Sequence, residues 1–517
     1  MSARRKSLKR STSGAVAPTV ALSLFGLVAA GGLAFDYARM ASLDSELQTA
    51  ADQAALAAAT QLDGKSNART RATNAVNNLI ENDTRFANDR CGTAVNVGGT
   101  VPTGCDSSGT LTFYKDKAKT TLATSDQDSN FVEVKVNSRT ANFALTPVVR
   151  AFSSGLLSAK AFAGVGSAIC KVPPVMICNP DEPSGNANED YAFNPARGVG
   201  LKLVTGDASA PGNFGWLESA FKNGANGLAA ALGYNEIQAD CQQMDGVTTK
   251  TGMSTSVLDS LNTRFDVYAN GNTCPSQYGG TCSPSTNARK DLVCNPNNTN
   301  TACTNAFDIS ANPYRPTTPV ALTSGYPDVM GYPRDLCHAV PQGSQTCGIV
   351  GSGTWDRDAY FKVNYGWNAA TWPDAVGLGS TPTRYEIYNW EATHTSVGSP
   401  AHGIGVPQPA GSKMAFGSPA NGIAGIAPSS AGVDRRRISV AVLNCYALSL
   451  HGKTSGIDPA KWLDVFLVEP SIDRKVGGTK WTEKKEVYVE VIGDTGSGVN
   501  GASNPQVIER SVPYLIE

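Results

Sequence analysis

Four histidines, twelve cysteines and 44 acidic residues are the material this 517-residue chain has for chemistry. Cys337 and His338 are neighbours, which offers a thiol beside an imidazole. A nucleophile and its base must meet through space, however, and adjacency in sequence is not that geometry. The expected use of Cys337 is a disulfide loop ending at Cys347. Asp356, Asp358 and Glu386 could pair for glycosidic cleavage or hold calcium, but carboxylates fall near one another by chance in so acidic a chain. No Gly-x-Ser-x-Gly elbow, His-Glu-x-x-His, P-loop or true Gly-x-Gly-x-x-Gly turn occurs. No catalytic, metal-binding or cofactor-binding residue is therefore predicted, and the chain is expected not to be an enzyme. Trp355, Trp367, Trp372 and Trp390, with Tyr360, Tyr365, Tyr385 and Tyr388, form the densest aromatic stretch. Such a set packs a core or makes a flat platform for a sugar or a partner.

Most cysteines sit in Gly-, Asn-, Thr- and Ser-rich sequence that reads as loop, and no Cys-x-x-Cys pair exists. Even numbers of loop cysteines are staples in an oxidising compartment. Cys91, Cys105, Cys170, Cys178, Cys337 and Cys347 are the candidate disulfide residues. Cys170 and Cys178 flank Pro173-Pro174 and could bridge each other.

The elements that carry these residues begin at a membrane. Arg4, Arg5, Lys6, Lys9 and Arg10 precede an uncharged run from Ser11 to Phe35. Its apolar part would be about 30 Å long as a helix, enough to cross a bilayer core. The basic flank should stay cytoplasmic and send the C-terminus outward. A secretory signal is shorter and ends at a cleavage site, whereas here an Ala-rich helical pattern continues past Asp36. Leu43, Leu47, Ala50, Ala54 and Ala58 recur at three- and four-residue steps on one helical face. That face could pack on the protein's own next domain or contact a neighbouring subunit. A net charge of -1 gives no electrostatic case for nucleic acid.

The stretch GAVAPTVALSLFGLVAAGGLAFDYARMASLDSELQTAADQAALAAATQL resembles the N-terminal segment of TadG-like proteins of the tight-adherence (Flp) pilus assembly system. Gly32–Asp36 supplies the Gly-Leu-Ala-x-Asp exit, and Leu47-Gln48 with Ala50–Ala57 supplies the Ala-rich string. The resemblance covers residues 13–62. Later stretches are similar to the C-terminal part of some Tad-related proteins: Tyr332–His338, Trp355–Phe361, Arg437–Cys445 and Trp462–Pro470. The resemblance implies a role in pilus assembly or surface attachment, with membrane and envelope or pilus-assembly proteins as partners. Gly14 is followed five residues on by Thr19, not Glu, so prepilin-type processing is not expected. An A-domain metal site, sought at Asp207-Ala-Ser209-Ala-Pro211, is rejected because Pro211 offers no ligand.

The predicted architecture is α+β. A basic cytoplasmic leader (1–13) precedes a transmembrane helix (14–36). A helical stalk with a small pilin-like α+β region (37–170) follows, with a strand at Phe131–Val136 and others at Ala141–Val148 and Leu157–Gly164. A Pro-rich connector (171–189) leads to a large β-rich, disulfide-stapled periplasmic domain (190–517). Its predicted strands are Gly200–Val204, Tyr385–Trp390, Ile438–Leu443, Val465–Val468 and Glu486–Ile492. Its predicted helices are Trp216–Asn223 and Ser254–Ala269. The expected address is the bacterial inner membrane, single-pass. The alternative function is a membrane-anchored adhesin or glycan-binding protein using the Trp355–Trp390 region.

Overall fold

The computed structural model describes residues 16–63, 66–79, 84–87, 89, 91, 109–145, 154–170, 173–205, 210–218, 224–235, 241–243, 246–250, 257–268, 273–295, 307–419, 435–495 and 508–516. The chain forms two compact units, residues 1–166 with 511–517, and residues 167–510.

In the first unit a single helix, α1 (Val16–Ala59), runs 44 residues without a break. Alanine and leucine, which carry no branch at Cβ, favour it, and glycine at 26, 31 and 32 does not interrupt it. Its first half is solvent-facing and apolar: Leu22, Phe25, Leu27 and Leu33 are all exposed. From Asp36 onward one face is buried. The helix closes on tightened turns, Gln61 N to Ala58 O (3.0 Å) and Leu62 N to Ala59 O (3.0 Å). α2 (Ala68–Leu79) turns back against it. The Asp126 carboxylate holds the start of α2 by accepting from Asn67 N (2.8 Å) and Arg69 N (3.2 Å).

β1 (Thr110–Tyr114), β2 (Phe131–Lys135) and β5 (Lys160–Cys170) make an antiparallel sheet, with β3 (Arg139–Asn142) and β4 (Ser154–Leu157) as a separate hairpin. The strict alternation of Phe-Val-Glu-Val-Lys puts Val132 and Val134 inward. They meet Leu43, Leu47, Ala50, Ala54 and Ala58 of α1, with Ala72 and Val76 of α2.

The second unit is built on a six-stranded sheet of β6 (Val175–Cys178), β7 (Gly200–Val204), β8 (Phe214–Trp216), β9 (Arg437–Leu443), β10 (Lys461–Leu467) and β11 (Glu486–Asp494), in the order β7-β11-β10-β9-β6-β8. All pairs are antiparallel except β9 with β6. Both faces are covered, so β10 is buried on almost every residue. Leu463, Val465 and Leu467 pack on α3 (Gly224–Gly233) and α4 (Leu258–Asn262) through Leu228, Leu232, Leu258 and Leu261. Phe466, Tyr488 and Ile492 face an aromatic layer from α6 (Arg357–Tyr365), α7 (Trp372–Val376) and α8 (Arg384–Thr393), which follow the short α5 (Leu336–Ala339).

Several expectations are corrected. Val175–Cys178, inside the stretch read as a connector, is a fully buried strand paired with β9. The predicted strand Tyr385–Trp390 is helix α8. Trp216 ends a strand instead of starting a helix, and residues 219–223 lie outside the described residues. The helix expected over Ser254–Ala269 is short: α4 and one tighter turn, Thr263–Phe265, stopped by Asp266 at φ 60°.

Candidate functional site

The point where α1 enters the first unit is built from two helix residues one turn apart, Gly32 and Asp36, which share a face. The Asp36 carboxylate is 1% exposed and accepts from Ala144 N and Leu145 N, each at 2.9 Å. A Cβ on Gly32 would stand 2.8 Å from the Leu145 Cβ, so only glycine admits this loop so close to the helix. Two turns later Glu46 accepts from Arg85 N (3.1 Å) and Phe86 N (3.4 Å), and Arg39 donates to Phe86 O (3.2 Å). Charged residues on α1 thus hold loops that have no strand partner. The Ala face is filled by the unit's own sheet and α2. Leu43, Leu47, Ala50, Ala54 and Ala58 are therefore not free for a neighbouring subunit.

The aromatic stretch of the second unit divides. Trp355 and Trp372 are buried, while Trp367 and Trp390 keep part of their surface. Trp372 stacks on Phe361 at 4.6 Å between centroids, and Trp367 on Tyr365 at 4.7 Å. A platform of all four tryptophans is thereby excluded, because two have no face to offer. What remains outside is Trp367, Trp390 and the imidazole of His394 stacked on Trp390 at 4.7 Å.

Behind these rings lies an ionic layer. Arg384 pairs with Asp335 (2.6 Å) and Glu490 (2.9 Å), and none of the three is exposed. Burial raises Glu490 above the usual carboxylate range despite Arg384. Glu391 accepts from Tyr360 and Tyr365 hydroxyls (each 2.7 Å), the Tyr332 hydroxyl and the Asn287 amide (2.8 Å). Burial and then the Glu391 charge push those tyrosines upward, so each hydroxyl stays a donor. Arg436 lies over the Phe466 (4.6 Å) and Tyr332 (5.1 Å) rings. The stretch Tyr332–His338 supplies Tyr332 and Asp335 to this layer, and its Arg334 pairs with Glu469 (2.7 Å) and Glu486 (2.8 Å).

The sequence-flagged carboxylates each have separate employment. Asp356 caps α6 through Ala359 N (3.0 Å) and accepts from Leu322 N (2.7 Å). Asp358 accepts from the Trp372 indole (2.7 Å), and Glu386 closes the cap of α8 and pairs with Arg197 (3.0 Å). Cys337 is bonded to Cys347, so neither sulfur can act as a thiolate, although both lie within ligand reach of His338. The His338 ring is held between Tyr488 Oη (3.1 Å) and Gly348 O (2.8 Å). Burial lowers its pKa to about 4, so the ring is neutral. Cys178 is bonded to Cys445, not to Cys170, which corrects the expected bridge: the parallel β6–β9 register brings Leu443 opposite Cys178 and carries Cys445 past the end of the pair. Cys274 bonds Cys282. Cys91 is disulfide-bonded, while Cys105 and Asp207–Ser209 lie outside the described residues.

Sequence reasoning missed the buried Arg384, Glu490 and Glu391. Only the Thr383-x-x-Glu386 capping box signalled the helix that carries two of them.

Residues 14–61 match the family model of the putative Flp pilus-assembly TadE/G-like domain. The matched segment is almost coextensive with α1. No curated protein and no solved structure matches the chain.

Proposed function

We propose that this protein is a membrane-anchored, non-enzymatic scaffold of Flp pilus assembly, with its N-terminus cytoplasmic and its bulk in the periplasm. One observation carries the reading. The family-matched segment is a helix whose first half offers lipid an apolar, exposed surface and whose second half is the spine of a folded unit. An element of that kind fixes a folded body at a membrane. The long helix on a small antiparallel sheet is consistent with the pilin-like plan expected from the sequence, and this supports contact with pilus components on the outer side. The engagement of every flagged carboxylate and of Cys337 in structural bonds favours a scaffold over a hydrolase.

Deletion of the gene is expected to abolish piliation and surface attachment, with restoration by the intact chain. Normal pilus counts by electron microscopy in the deletion strain would sink the assembly role. A reporter that fluoresces only in the cytosol, fused after Glu517, is expected to be dark.

A second reading, an anchored glycan-binding adhesin, now rests on Trp367, Trp390 and His394 alone. Its requirement is that Trp367→Ala with Trp390→Ala removes polysaccharide binding while the buried Trp355 and Trp372 stay in place.

A further inference from the structure

The uncharged part of α1, Val16 to Phe35, is about 30 Å long, the thickness of a bilayer core. Gly32 lies three residues, about 4.5 Å, inside its outer end. The loop that closes on Gly32 and Asp36 therefore meets the helix at the depth where hydrocarbon gives way to headgroups. Its residues fit that depth. Leu145 is 44% exposed although it is a leucine, and Phe35 (52%) and Tyr37 (67%) on the helix are exposed beside the same level. Tyrosine rings, apolar with a polar tip, collect at membrane–water interfaces. Asp36 is the first charge after the uncharged run. A bare carboxylate at this depth is costly, and here two backbone N–H groups of the loop solvate it.

We propose that the Gly32–Asp36 clasp seats the loop Phe143–Leu145 in the outer headgroup layer, so that lipid is the partner of this face of the first unit. The unit then lies on the membrane and does not stand off it on a free helical stalk. This rests on α1 crossing the bilayer. The sequence motif Gly-Leu-Ala-x-Asp acquires a physical purpose: glycine for the close approach, aspartate to hold the loop and hide its own charge.

The test uses the full chain in vesicles of phosphatidylethanolamine and phosphatidylglycerol. A nitroxide is placed by Ala144→Cys or Leu145→Cys; the described cysteines are all in disulfides and do not compete. Collision with oxygen and with a water-soluble nickel chelate reads depth. Reference labels go to Leu24, in the middle of the span, and to Leu122, exposed on the same unit. The expected result is loss of nickel collision at 144 and 145 relative to 122. Gly32→Leu, which drives a side chain into Leu145, should restore it while helix content by circular dichroism is retained. Nickel access at 144 and 145 equal to that at 122, with Leu24 protected, overturns the seat and leaves the anchor standing. Nickel access at Leu24 as well overturns both. Protection at 145 that Gly32→Leu leaves unchanged overturns the clasp.

Discussion

In the first unit a helix meets a sheet through Leu43, Leu47 and a run of alanines. In the second, α6 and α8 meet their sheet through tryptophans, tyrosines and buried ion pairs. Alanine loses no rotamer entropy on burial and lets backbones approach closely, but each one removes little apolar area from water. The first interface therefore depends on volume: a larger side chain at one of these fully buried alanines would have to displace its neighbours. The second depends on partners: Arg384, Glu490 and Asp335 are buried charges whose cost is offset by one another and by backbone hydrogen bonds, so removing one leaves the others under-compensated. A helix that also serves lipid gains from the first solution, since its buried face stays apolar and mostly small. A body that must hold one unique surface gains from the second, since polar groups satisfied in only one arrangement disfavour alternatives.

The sharpest way to break the comparison is Arg384→Met. It leaves Glu490 and Asp335 buried without their cation and should cost about 4 kcal/mol. All seven tryptophans lie in the second unit, so their fluorescence during urea unfolding reports that unit alone. An unchanged midpoint would mean that the ionic layer is decoration.

Protonation sharpens the same contrast. His338 has a folded pKa of about 4, lowered by burial, with Arg334, Asp335 and Lys202 around it. Between its ordinary value of about 6.5 and 4 the unfolded chain binds a proton that the folded ring refuses. Stability of the second unit should fall as pH drops through that window, by about 3 kcal/mol in all. His338→Gln should flatten that part of the profile, even if it lowers stability at neutral pH. A slope unchanged by the substitution would assign it to other groups.

Ala54→Leu tests the first unit. Ala54 has no exposed surface, and the added volume should cost about 2 kcal/mol by overpacking. Helix content should melt earlier by circular dichroism while tryptophan fluorescence holds. Movement of both signals together would deny the two units separate interiors.

The legibility of the molecule follows the same division. α1 and its buried face could be read because each rests on a local pattern: an uncharged apolar length and a three-to-four repeat. The alternating Phe131–Lys135 strand was legible for the same reason. Val175–Cys178 was not, because a strand buried on both faces does not alternate, and the prolines before it look like a linker. Arg384, Glu490 and Asp335 were illegible because their meeting spans more than a hundred residues and no local rule marks a charge that will be buried. Tyr385–Trp390 reads as a strand because aromatic and β-branched residues favour strands, while the capping box that starts a helix there begins before the run, at Thr383.

That capping box carries the smallest predicted effect. The Thr383 hydroxyl accepts from Glu386 N (3.2 Å), and Glu386 Oε2 accepts from Thr383 N (2.7 Å). Thr383→Ala removes the first bond and leaves the second, because a backbone N–H survives the substitution. The cost should be about 1 kcal/mol, seen as a small leftward shift of the tryptophan-reported urea midpoint. Thr383→Ser keeps an acceptor oxygen and should recover most of it. If alanine and serine were equally harmful, the methyl of Thr383 packed near Gly198 would be what matters, not the cap. Helix α8 would then be held by its buried side chains, Arg384 and Glu391 among them, and not by its cap, which would sharpen the contrast between the two units.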